Sequence, residues 1–376
     1  MISMGFLQFI ATLRNLENKK EKKMKLDGSK ILIVGGAGFV GSNLARYLLK
    51  NRDIDKLIII DNLLSSNKMN VPSNANVDFI HGSITNKDTL ESIPKDIDYI
   101  FHLSCYHGNQ SSIADPFADH ENNTLTSLKL FDHVKTYDNI KKVVYAAAGC
   151  AVAEKTFDDA SATSEDAPVS LFHDSPYSIS KLIGEMYGNY YFQRYQLPFV
   201  KARFQNIYGP GEMLGAGEWR GTHHTVWRNV IPTFIWKSLH SEALPLDNGG
   251  NASRDFIYVK DLAKGLVACA ELGEPGESYN LASGVETTIK DLALLINEVT
   301  KNKTPVDLMP ARDWDRSGKR FGSTKKSKEE LSFEAQKSLN EGIKETIQWT
   351  VENKSIILEL MLNHKDHLPD IKKYKQ

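Results

Sequence analysis

The chain has 376 residues, 41% hydrophobic and 25% charged, with a formal net charge of −1. That length suits two domains or one large one, and the near-neutral balance excludes a broad basic surface for nucleic acid or anionic lipid. Three cysteines, Cys105, Cys150 and Cys269, are too scattered for a disulfide framework and show no CxxC spacing, so no metal site and a reducing, cytoplasmic setting are expected.

Residues 1–28 read as an N-terminal extension. The stretch 1–13 is weakly apolar, and Lys19, Lys20, Lys22, Lys23 and Lys25 then form a basic run. A secretory signal has the opposite order of charge and apolar stretch. The apolar part is too short to span a bilayer, and no later segment is a candidate span.

Lys30–Val34 is an apolar run followed directly by glycines, the pattern of a parallel strand buried on both faces. Helical periodicity follows over 38–50, then a second apolar run, 57–60, ending at Asp61. Strands are predicted at 77–80, 99–103, 143–147 and 199–202, with helices between them. Strands alternating with helices imply βαβ crossovers and a parallel sheet covered on both sides. The expected fold class is therefore α/β, with a Rossmann-type doubly wound domain over 29–205. Beyond a glycine-rich loop at 209–222, helices are expected near 226–240, 260–272, 287–300 and 338–353. They belong to a smaller mixed α/β lobe over 206–355, partly interleaved with the first domain and followed by a tail over 356–376. Substrate belongs in the cleft between two such units.

The spacing Gly35-x-x-Gly38-x-x-Gly41 lies between a strand and a helix. The first glycine permits a tight turn, the second lets backbone N–H groups approach a pyrophosphate, and the third brings helix and strand together. The helix N-terminus adds partial positive charge at that point. Asp61 ends the second strand 20 residues beyond Gly41, followed by Asn62 rather than by an arginine. A carboxylate there accepts from the ribose hydroxyls and repels a 2′-phosphate, so the expected cofactor is NAD rather than NADP.

Tyr177 and Lys181 are four apart on a helix predicted to start at Ser175-Pro176, a cap followed by proline at the first helical position. The spacing puts both side chains on one face. A neighbouring ammonium favours the phenolate and makes the tyrosine a base for alcohol oxidation. Tyr137–Lys141 has the same spacing, but it precedes a strand, away from the C-terminal strand ends where a cofactor would lie.

Taken in order, these motifs resemble the extended short-chain dehydrogenase/reductase family, specifically its nucleotide-sugar epimerases and dehydratases. The resemblance runs from about residue 30 to 350. It includes His81-Gly82-Ser83-Ile84, Phe101-His102-Leu103-Ser104, Asn123, Arg203-Phe204-Gln205-Asn206-Ile207-Tyr208-Gly209-Pro210-Gly211 and Arg254-Asp255-Phe256-Ile257-Tyr258-Val259. It implies cofactor contacts from Gly35, Gly38, Phe39, Val40, Gly41, Asp61, Asn62, Ser83, Ile84, Leu103, Ser104, Asn123, Tyr177 and Lys181. It also implies a nucleotide-diphosphate sugar contacted by His107, Asn206, Arg220, Arg254, Arg312 and Asp315, and a homodimer joined by helices near 115–134 and 175–195. Arginine suits the diphosphate because its planar fork matches phosphate oxygens; Arg316, Lys319 and Arg320 are too clustered to apportion.

One segment departs from the family. Its members usually carry serine or threonine after the fifth strand, where Tyr145-Ala146-Ala147-Ala148-Gly149-Cys150 places Ala148. The acidic pair of the 4,6-dehydratases and the glutamate of the decarboxylases are replaced by Gly149 and Cys150. The 3,5-epimerases acting on GDP-mannose resemble the chain more closely at this point, with a cysteine at Cys150 serving as acid/base beside a lysine. The matching segment Trp219-Arg220-Gly221 has arginine instead, a poor proton donor. Cys150 is therefore either a catalytic acid/base or a small buried residue of the turn. His107 faces either the sugar or the structure, and His223 and His224 either titrate usefully or stand idle in the loop. The expected activity is NAD-dependent epimerisation through transient oxidation at sugar C4. Inversion at C3 or C5, a 4-dehydrogenase, a dehydratase or a non-catalytic regulator are the alternatives.

Overall fold

The computed structural model describes residues 26–152, 156, 158–313, 315 and 318–375. Most of the predicted extension and the side chain of Cys150 lie outside the described residues.

Six of the strands expected from the apolar runs are present: β1 (Lys30–Val34), β2 (Lys56–Asp61), β3 (Val77–His81), β4 (Tyr99–His102), β5 (Lys142–Ala148) and β6 (Phe199–Phe204). They pair in parallel in the order β6-β5-β4-β1-β2-β3. Strand side chains alternate between faces. Ile31 and Ile33 therefore join a core with Leu44 and Leu48 of helix α1 (Phe39–Asn51), and Leu32 and Val34 join a second core with Leu130, Phe131 and Val134 of α2 (Thr126–Val134). Burying each such side chain contributes about 1.5–3 kcal/mol, which is why both faces must be covered.

Helix α3 (Pro176–Tyr195) starts as its sequence predicts, with the Ser175 side chain accepting from Ser178 N at 3.4 Å. Gly184 and Gly188 face the sheet, where a Cβ would collide with Tyr145 and Phe199 respectively. Mid-helix glycine costs roughly 0.5–1 kcal/mol; here it lets α3 seat against Tyr145 of β5 and Phe199 of β6. The segment before α2 is also helical, with Pro116–Asp119 and a π turn over His120–Leu125.

The smaller lobe is built on β7 (Asn206–Tyr208), α4 (Val230–Leu239), β8 (Pro245–Asp247) and β9 (Ser253–Tyr258). The chain then returns to the first sheet. Helix α5 (Val259–Leu272) contributes Leu262 and Leu266 to the core beneath α1, and β10 (Ser278–Leu281) pairs in parallel with β6 as a seventh strand. It crosses back through β11 (Glu286–Thr288), antiparallel to β9, and α6 (Ile289–Thr300), whose Leu292 and Ile296 pack with Phe234 and Phe256. After α7 (Leu339–Glu352), the expected tail is a packed element. Helix α8 (Lys354–Leu362) and the turn Pro369–Lys375 bury Ile357, Met361, Ile371 and Tyr374 against Leu214, Val226 and Trp236. The run Ile356-Ile357-Leu358-Glu359-Leu360-Met361-Leu362 is apolar around most of the helix, a sign of this packing that the sequence does carry.

No helix among the described residues is long and apolar enough to cross a membrane. No group of three or more His, Cys, Asp or Glu side chains among them is arranged to hold a metal ion.

Candidate active site

The strand order reverses between β1 and β4, which opens a crevice at their C-terminal ends. Gly35, directly after β1, has φ +84°, and a Cβ there would lie 2.5 Å from Ser104 N beyond β4. Both backbone conformation and close approach therefore require glycine. A cavity of about 740 Å³ extends from this crevice into the smaller lobe.

Its first half fits a dinucleotide. Helix α1 has no side-chain cap and no acidic residue in its first turn, so its leading N–H groups face the cavity beside Gly38, Phe39, Val40 and Gly41. Asp61, 8% exposed, accepts from Leu63 N and Ser66 Oγ through Oδ1 and from Ala37 N through Oδ2. Burial raises its pKa, against the pull of those hydrogen bonds. Asn62, Ser83, Ile84, Leu103 and Ser104 complete this wall.

Tyr177 and Lys181 line the same cavity beside the end of β5. Lys181 Nζ donates to Ala146 O at 3.0 Å and stands 6.0 Å from the Tyr177 ring centroid. Tyr177 N donates to Ser112 Oγ, and the ring packs with Ala148, Ala151 and Leu182. The rival pair lies at the opposite, N-terminal ends of the strands: Tyr137 Oη meets His133 Nε2 at 2.8 Å, and Lys141 pairs with Asp98 at 2.8 Å.

Beyond Tyr177 the wall includes His107, whose imidazole is pushed down to about 3 by burial and by Arg220, Arg228 and Lys181. It is neutral at physiological pH. His223 and His224 also line the cavity, with ring centroids 3.9 Å apart. Burial lowers both pKa values, that of His224 to about 4.

The far end carries two of the sequence-predicted arginines. Asn206, Arg254, Arg312 and Asp315 all line it. Arg254 donates to Ser253 O and Gly318 O at 2.6 and 2.7 Å and stands 4.0 Å from Asp315, and Arg312 pairs with Asp247.

Two residues expected to contact ligand are turned elsewhere. Asn123, 2% exposed, accepts from Tyr106 N at 2.6 Å and donates to Asp119 and Ser180; it is absent from the cavity wall and holds the turn after β4. Arg220, 3% exposed, also lies behind the wall, where it donates to His107 O at 2.9 Å and covers the Tyr106 ring. A buried amide with backbone partners looks the same in sequence as one that holds a cofactor.

Sequence reasoning missed Gln205, Glu212, Arg228 and Asn229, and left Arg320 unassigned; all five line the cavity. Arg228 donates to Thr225 O, Ser65 O and Ala216 O, tying the glycine-rich loop to the segment after β2. Burial pushes the Glu212 carboxyl up to about 7, opposed by Asn229, which donates to it, and by Arg228. Asn229 occupies the cap position of the proline-containing helix α4, a signal legible in sequence.

The chain matches the NAD dependent epimerase/dehydratase family over residues 31–282, and it belongs to that family. The Bordetella bronchiseptica enzyme WbmF, solved with NAD+ and UDP, is similar at 52% identity and a TM-score of 0.82, covering 92% of this chain and 99% of that one. A UDP-glucose 4-epimerase from Thermotoga maritima, solved with UDP-glucose, is 29% identical with a TM-score of 0.77, covering 86% and 99%. A putative UDP-glucose 4-epimerase of Methanocaldococcus jannaschii is 31% identical over 86% of this chain and 99% of its own length.

Proposed function

We propose that this protein epimerises a UDP-linked sugar through transient oxidation at C4. The observation that carries the reading is one cavity with three parts in the required order. The glycine turn and Asp61 lie at one end, Tyr177 and Lys181 in the middle, and Asn206, Arg254, Arg320 and Asp315 at the other. NAD+, when bound, accepts the hydride from the sugar carbon and returns it. Tyr177 takes the proton of the C4 hydroxyl, and Lys181 favours the phenolate that does so. The far-end donors hold the nucleotide diphosphate, so that the sugar alone turns between the two hydride transfers. Gly149 and Cys150 in place of an acidic pair argue against a dehydratase.

Inversion at C3 or C5 is the second reading, favoured by the neutral His107 imidazole beside Tyr177. In it the 4-keto group would acidify the neighbouring C–H bonds, with His107 or Cys150 moving the proton. Incubating the protein with UDP-sugars in D2O tests both readings. A new 4-epimer without label supports the first, and deuterium at C3 or C5 supports the second. Steady release of NADH would indicate a 4-dehydrogenase, and no turnover of any UDP-, GDP- or dTDP-sugar would sink the catalytic reading in favour of a regulator.

The functional unit in this reading is a cytoplasmic homodimer. Exposed Ile179, Met186 and Tyr190 run along one face of α3, and Ile113 and Phe117 are exposed near the start of the neighbouring helical segment. Apolar surface of this kind is suited to a second copy.

A further inference from the structure

The hydroxyl that the family places at Ala148 is missing, and the structure offers a different polar group beside that position. Ala148 pairs with Phe204 across β5 and β6, so the next residues, Gly149 and Gln205, leave the sheet side by side. The nearest atom to a Cβ built on Gly149 would be Gln205 Nε2, which would collide with it. On the other side, a Cβ on Gly322 would meet Ala282 Cβ at 2.9 Å and Gln205 Nε2 at 3.0 Å. Neither glycine has a left-handed φ, so backbone conformation does not demand either one. Their shared effect is to make room for the carboxamide between them. Gln205 lines the cavity together with Ala148 and Tyr177, and its side chain has no hydrogen-bond partner among the described residues. A half-buried amide with unused donors at a cavity wall is arranged for a ligand.

We propose that Gln205 Nε2 replaces the absent hydroxyl, donating a hydrogen bond to the sugar oxygen that Tyr177 deprotonates. The assignment rests on the oxidoreductive reading above. In the forward step the O–H bond breaks and its proton goes to the Tyr177 phenolate. The C–H electron pair leaves as hydride to NAD+, and the oxygen becomes the carbonyl of a ketone. An amide N–H does not titrate in this range, so Gln205 holds the oxygen without competing for the proton. The transfer to Tyr177 is therefore direct, with no hydroxyl relay.

The test compares wild type, Gln205→Leu, Ala148→Ser and the double variant Gln205→Leu/Ala148→Ser. Single-turnover hydride transfer is followed at the nicotinamide absorbance with a panel of UDP-sugars, and UDP affinity is measured by calorimetry. Leucine keeps the bulk and removes the donor. The expected result is a loss on the order of 10–100-fold in hydride transfer with unchanged UDP affinity, largely returned by the serine in the double variant. Wild-type transfer in Gln205→Leu would overturn the assignment alone. So would a loss accompanied by weaker UDP binding that serine does not rescue. If the wild-type protein takes hydride from no UDP-sugar, the oxidoreductive reading fails and the assignment falls with it.

Discussion

The imidazole of His107 stands edge-on to the phenol ring of Tyr177, with ring centroids 5.8 Å apart and planes at 75°. Arg220 fixes that relationship from behind by holding the His107 carbonyl. The residue expected to touch the sugar thus positions another that does line the cavity. Trp219, beside it, stacks on His367 with centroids 4.3 Å apart, so the C-terminal segment braces the same arrangement.

Tyr177→Phe should lower hydride transfer by roughly 10²–10⁴-fold, the usual loss for a positioned acid/base. UDP should still raise the melting temperature, because the far-end donors are untouched. Tyr137→Phe, at the N-terminal ends of the strands, should leave transfer at the wild-type rate. Stopped-flow absorbance of the two variants checks both expectations.

Gly35→Ala should abolish retention of NAD(H). The residue would need φ +84° with a Cβ 2.5 Å from Ser104 N, so the turn or the strand must move. Denaturing the purified variant and measuring released dinucleotide gives the answer; wild-type content would contradict the proposed role of the turn.

Arg320→Ala should weaken UDP binding by about tenfold or more, as expected for loss of a charge-assisted hydrogen bond. Its Nε is buried without a partner among the described residues, although the side chain reaches the cavity. Calorimetric titration with UDP would test this, and unchanged affinity would remove Arg320 from the diphosphate site.

Stability should respond to Glu212 in a defined direction. Its folded pKa, about 7, lies above the ordinary 4.5, so the folded state holds a proton that the unfolded state has already lost. Wild-type stability gains from this group below pH 4.5 and loses that gain as the pH rises through 7. Glu212→Gln should remove this component. The difference in melting temperature between variant and wild type should shift in the variant's favour from pH 5 to pH 8. A pH-independent difference would show that the carboxyl is already ionised in the fold.

The parallel strands were readable because burial on both faces leaves near-continuous apolar runs, as in Ile31-Leu32-Ile33-Val34. The seventh strand was not, since Ser278-Tyr279-Asn280-Leu281 is short and half polar. Tyr177 and Lys181 were legible because one helical turn relates them. Gln205, Glu212 and Arg228 were not, because their roles arise where loops distant in sequence meet. Asn123 was read as a ligand contact although its hydrogen bonds go to Tyr106, Asp119 and Ser180. Residue type alone does not say which way an amide points.

The return of β10 to the edge of the sheet bears on how this protein can be divided. A fragment ending at residue 205 would present β6 with one row of backbone donors and acceptors unpaired. It would also strip α5 from the apolar surface of Val200 and Ala202. Such an edge is a template for intermolecular pairing. The excised nucleotide-binding half should therefore aggregate, and any shuffling of lobes between relatives must carry residues 259–281 with the first segment.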